Sequence, residues 1–100
     1  MESKARLVFD RRVPVSGGSF AELVLRELPR RLPGSAHSYK YRLAYVVNGV
    51  CVLRFDNEPG KGDHMHVGDI ERPYWFIDPE RLVADFLDAV RRIDNEDSQD

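Results

Sequence analysis

Two histidines spaced two residues apart, His64 and His66, follow a glycine turn, Gly60-Lys61-Gly62. They close the stretch Arg54-Phe55-Asp56-Asn57-Glu58-Pro59-Gly60-Lys61-Gly62-Asp63-His64-Met65-His66-Val67-Gly68. On a strand, the period of two puts both imidazoles on one face, roughly 6–7 Å apart at the Cα atoms. That spacing suits a proton donor and acceptor pair or two ligands of one metal ion. Arg54 and Lys61 add cations, and Asp56, Glu58 and Asp63 add carboxylates. Gly60 and Gly62 permit positive φ or a close approach of backbone to ligand. No other part of the chain holds so many titratable side chains beside residues that shape the backbone.

The elements around this stretch must place it. Lys4 to Arg12 reads as a first strand, and Val13-Pro14-Val15-Ser16-Gly17-Gly18 as turn chemistry. Ser19 to Leu28 fits a helical stripe or an alternating strand, and the glycine turn before it favours a strand in a hairpin. Pro29 to Ser38 is a loop whose two prolines bar a regular ladder. Tyr39 to Val47 is the clearest strand, with Tyr39, Tyr41, Leu43, Tyr45 and Val47 on one face and Lys40, Arg42, Ala44 and Val46 on the other. Asn48-Gly49 predicts a two-residue type I′ turn, and Val50 to Phe55 returns antiparallel. Met65 to Val67 makes a short further strand. Asp78 caps a helix with Pro79 at its first position. Leu82, Val83, Phe86, Leu87, Ala89, Val90 and Ile93 form its apolar stripe, and Arg91 and Arg92 lie in its last turn. The expected fold is α+β: an antiparallel sheet of about four to five strands, near 4–12, 19–28, 39–48 and 49–56, with one C-terminal helix from about 79 to 93 packed on it.

The chain of 100 residues is one domain, expected over 1–93, followed by an acidic tail, 94–100, expected to be disordered. The net charge of −2 is set by that tail, which holds four acids and no base. The body is about +2, which argues neither for nor against nucleic acid as a partner. No apolar run approaches the roughly 20 residues of a membrane helix, and the first residues carry no apolar signal core. The lone cysteine, Cys51, fits a reducing cytoplasm and is expected as a small core residue of a strand. The cluster around Trp75, within Arg72-Pro73-Tyr74-Trp75-Phe76-Ile77, is expected to pack in the core.

The segment Tyr39-Lys40-Tyr41-Arg42-Leu43-Ala44-Tyr45-Val46-Val47-Asn48-Gly49 and the stretch from Arg54 to Gly68 together resemble the TumE family, small bacterial proteins regarded as toxins of toxin–antitoxin pairs. Pro73-Tyr74-Trp75-Phe76 and Leu82-Val83-Ala84-Asp85-Phe86 follow in the family's order, and the resemblance covers about residues 28–93. Phe55 stands where the family often has tyrosine, which removes one hydroxyl. The resemblance implies a type II toxin, growth inhibition by the free protein and an antitoxin partner with a helix-turn-helix DNA-binding domain. It supplies no catalytic set.

Three functions then stay open. The first is a metal-independent endoribonuclease, by analogy with other small toxins. His64 and His66 would be its base and acid, with Asp56 or Asp63 orienting an imidazole. Lys61, Arg54 and Lys40 would hold phosphate, aided by backbone N–H groups near Gly60 and Gly62. The second is a metal site on His64 and His66 completed by Asp56, Asp63 or His37. The third is a toxin that binds without catalysis through the 56–68 loop. No cofactor is expected. The expected partners are the antitoxin and, as candidates, RNA and a second copy of the chain; no membrane is expected.

Overall fold

A computed structural model describes residues 5–98. Six strands and one helix follow in order: β1 (Arg6–Ser16), β2 (Ser19–Glu27), β3 (Tyr39–Val47), β4 (Val50–Glu58), β5 (Gly62–Val67), β6 (Ile70–Pro73) and α1 (Pro79–Ser98). Each strand pairs antiparallel with the next, giving a sheet in simple chain order. The α+β expectation with a single C-terminal helix holds, but the sheet has six strands, not four to five.

The turns account for much of this order. Asn48 and Gly49 have φ of 50° and 81°, as a type I′ turn requires at both central positions. That turn interlocks with the one before β2. Asn48 N–H donates to Gly18 O at 2.8 Å, and a Cβ on Gly18 would lie 2.6 Å from Asn48 Oδ1. With φ of 83° as well, position 18 accommodates only glycine without strain.

One face of the sheet is covered by the helix. Leu23, Leu25, Tyr41, Leu43, Tyr45, Leu53 and Phe55 meet Leu82, Phe86 and Val90 in a single buried cluster. The Phe86 ring stands edge-on to Phe55 at 5.7 Å, and burying each such side chain contributes about 1.5–3 kcal/mol. Asp78 caps the helix as expected, its Oδ1 accepting from Arg81 N–H at 2.8 Å.

Several expectations are corrected. Val13 to Ser16 is not a turn but the end of β1. Pro14 is tolerated there because β1 is an edge strand and its register with β2 shifts between Pro14 and Ser16. The Gly68-Asp69 turn returns the chain as β6, a strand beyond those expected. The helix runs past Ile93 to Ser98, into the segment expected to be disordered, and Tyr45 O–H ties it down by donating to Asp94 Oδ1 at 2.5 Å. Residues 99 and 100 of that segment lie outside the described residues. Arg91 and Arg92 therefore sit inside the helix, on Asp88, and not in its last turn. Cys51 is exposed, because a bulge beside it shifts the β3–β4 register between Tyr45 and Val46. Trp75 is 74% exposed. In the extended segment after β6, Tyr74 and Phe76 turn inward, so Trp75 and Ile77 must turn out.

Candidate functional site

Residues directly opposite one another in an antiparallel sheet share a face. One row is Arg42, Asp56, His64 and Pro73; the next is Ala44, Arg54, His66 and Glu71. Phe55 and Leu43, between these rows, point into the core, so the two rows stand on the face away from the helix. Here the expectation for the histidines holds: their ring centroids are 6.2 Å apart on one face.

Arg54 joins the cluster together. Its Nε lies 3.1 Å from Asp56 Oδ2, and its Nη2 lies 3.1 Å from His66 Nε2. A guanidinium only donates, so His66 Nε2 accepts and the ring proton sits on Nδ1. Asp56 Oδ1 is 3.9 Å from the same His66 Nε2. His64 Nδ1 lies 3.1 Å from Glu71 Oε1, and Lys61 Nζ lies 3.4 Å from that oxygen. The Lys61 ammonium holds the Glu71 carboxyl below the usual carboxylate range. Lys61, Asp63, His64, Glu71, Arg72 and Pro73 line a shallow hollow beside these contacts.

Three buried polar atoms on this face lack a hydrogen-bond partner: Arg54 Nε, Asp56 Oδ1 and His64 Nε2. The Arg54–Asp56 approach is an ion pair whose Nε–H is not aligned for a bond. Each such orphan costs about 1–3 kcal/mol, so folded proteins keep few of them. Three in one cross-strand cluster single this face out as the candidate site.

Asp63 is elsewhere. It pairs with Asn57, and both turn to the side of Tyr41. Asp63 Oδ2 accepts from Tyr41 O–H at 2.6 Å and from His37 Nε2 at 2.8 Å. His37 Nδ1 in turn accepts from Tyr39 N–H at 3.1 Å. Both nitrogens of His37 are thus occupied, and its ring packs on Phe76 at 4.0 Å. Burial first, and then the bond to Asp63, push the Tyr41 hydroxyl well above its usual range. Asn57 completes this end by accepting from Tyr41 N–H and donating to Tyr39 O.

The expected partnership of Asp63 with His64 or His66 is therefore corrected. Neighbours along a strand face opposite ways, and Asp63 orients His37 instead. Glu71, not among the expected site residues, is the carboxylate beside His64. Its signal was Gly68-Asp69: glycine at the first central position suits a type II′ hairpin, which brings Glu71 opposite His66. The glycine turn also differs from expectation. Gly60 N–H donates to Pro33 O at 2.8 Å and Lys61 N–H to Glu58 O at 3.2 Å, so these donors hold the turn and not an anion. Gly60 and Gly62, at φ of 75° and 80°, shape the chain reversal that presents Lys61. Lys40 Nζ donates to Asn57 O at the end of β4.

Among the described residues, no group of three or more His, Cys, Asp or Glu side chains is arranged to hold a metal ion. Nor, among them, is any helix long and apolar enough to cross a membrane. No protein of curated function and no solved structure matches the chain. Residues 2–94 match the family Toxin TumE. That span contains both histidines, Arg54, Asp56 and Glu71, and the resemblance first carried by Gly60-Lys61-Gly62-Asp63-His64 is shown: the chain belongs to the Toxin TumE family.

Proposed function

We propose that this toxin is a metal-independent endoribonuclease of a type II toxin–antitoxin system, with His64 and His66 as its acid–base pair. The observation that supports it most is the pairing of a carboxylate with each imidazole on one face: Glu71 at His64 and Asp56 at His66. With its ring proton on Nδ1, which lies 3.1 Å from Glu71 Oε1, His64 keeps its lone pair on Nε2, an atom with no partner among the described residues. That is the arrangement of an oriented general base. Nε2 is enclosed, so side chains on the open face rotate before it meets a substrate.

In the reaction, His64 Nε2 removes the 2′-hydroxyl proton, and the 2′-oxygen attacks the adjacent phosphorus. The bond from phosphorus to the 5′-oxygen breaks, and that oxygen takes a proton from His66. Products are a 2′,3′-cyclic phosphate and a free 5′-hydroxyl. His66 is an acid only as the imidazolium. Its added Nε2 proton then turns from Arg54 to Asp56 Oδ1, which is 3.9 Å away and otherwise unpartnered. Arg54 is released toward the phosphorane, whose growing charge Lys61 shares.

The test is cleavage of single-stranded RNA by the purified protein with a chelator present. The expected result is undiminished cleavage that leaves cyclic phosphate ends. Loss of cleavage on chelation, restored by a divalent ion, turns the reading to a metal enzyme. Growth arrest with no cleavage of any RNA turns it to a toxin that acts by binding. The proposed partner is a helix-turn-helix antitoxin, and co-expression of such a protein from the neighbouring reading frame is expected to restore growth.

A further inference from the structure

The open face continues beyond the histidines across β3 to β2. Register places Arg26 directly opposite Lys40, and Arg42 between Val24 and Asp56. Alternation along each strand keeps Arg26, Lys40 and Arg42 on the face that carries Asp56 and His64. Three cations thus stand together, with Asp56 of β4 directly opposite Arg42 and Glu22 of β2 diagonal to it. Like charges directly opposite on neighbouring strands destabilise a sheet.

The fold does nothing to neutralise the two arginines. Among the described residues, neither the Arg26 nor the Arg42 side chain has a hydrogen-bond or ion-pair partner, and both are exposed. Arginines on the helix are treated differently. Arg81, Arg91 and Arg92 each sit on a helix aspartate. Glu27, next in sequence to Arg26, pairs with Arg6 and not with Arg26. Arg42 lies directly opposite Asp56, yet that carboxylate is held by Arg54.

We propose that Arg26, Lys40 and Arg42 form a phosphate-binding track that guides single-stranded RNA across β2 and β3 to His64 and His66. The inference rests on the endoribonuclease reading and adds where the substrate lies. From β2 to β5 is three strand spacings, about 14 Å, so the track reaches phosphates on one side of the reacting one. Arginine is suited to it, since its planar fork meets phosphate oxygens in pairs.

The test uses the full chain and a short 2′-O-methyl oligoribonucleotide, which has no free 2′-hydroxyl and cannot be cleaved. Binding is measured over a range of salt concentrations. Each lost phosphate contact lowers the slope of log K against log salt by about 0.7 for a single strand. The double variant Arg26→Gln/Arg42→Gln is expected to lose about 1.4 from that slope and to bind more weakly at low salt. It should also keep or raise the melting temperature, because a like-charge cluster is relieved. Arg92→Gln, on the helix, should change neither slope nor affinity. Wild-type cleavage of RNA with an unchanged slope in the double variant overturns the track and leaves the endoribonuclease reading standing. An equal slope change in Arg92→Gln also overturns it, as does tighter binding of the matching duplex. No binding and no cleavage by the wild type overturn both.

Discussion

Asp63 and His64 are neighbours in sequence and belong to opposite faces of the sheet. Asp63 is held by Tyr41 and His37 on one side, while His64 approaches Glu71 on the other at 3.1 Å. A period of two enforces this on any strand. On the proposed reading the consequence is a division of labour within β5, with Asp63 for the fold and His64 for chemistry.

That division predicts the behaviour of Asp63→Asn. An amide cannot serve Tyr41 and His37 as a carboxylate does, and hydrogen bonds to a charged group contribute about 1.5–3 kcal/mol. The variant should unfold at lower denaturant with an unchanged m value. Activity per folded molecule should match wild type. A loss of kcat at full folding would instead place Asp63 in the reaction.

Tyr41 gives a prediction in pH. Its folded-state hydroxyl is raised above the ordinary value of about 10. A raised group contributes stability that is complete below the unfolded value and declines as pH climbs toward the folded one. Wild type should therefore be more stable than Tyr41→Phe at pH 8, and the gap should narrow as pH passes about 10. Urea midpoints for both proteins across that range would measure it; a gap that widens with pH contradicts the role given to burial and Asp63.

Much of the fold was legible in the chain because local chemistry carried it. Asn48-Gly49 specified its turn through two positive φ angles, and Tyr39 to Leu43 showed the buried face of β3 by alternation. The helix followed from Asp78-Pro79 and its apolar stripe. What was not legible depends on pairing. β6 is four residues, all exposed, with no apolar alternation, and only its partner β5 makes it a strand. Trp75 read as core because large aromatics usually are, but direction in an extended segment is set by Tyr74, which donates to Asp85, and by Phe76. At the site, the histidine pair and Arg54 were visible in the spacing. Glu71 was not, since its place opposite His66 exists only once the Gly68-Asp69 turn has closed.

Glu71 follows as the next test. If it orients His64, Glu71→Gln should lower kcat with little change in KM, and by less than the roughly 10²–10⁴-fold that general acid or base catalysis supplies. Glu71 is exposed, so stability should shift by no more than about 0.5 kcal/mol. Cleavage at the wild-type rate by Glu71→Gln would remove the carboxylate from the account.

The histidines themselves decide it. Cleavage of single-stranded RNA under single-turnover conditions should be measured for wild type, His64→Ala and His66→Ala, each shown to be folded by its thermal transition. Each variant is expected to lose about 10²–10⁴-fold in rate and to no longer arrest growth when expressed alone. Folded His64→Ala and His66→Ala proteins that cleave as fast as wild type, or that arrest growth just as strongly, would contradict it.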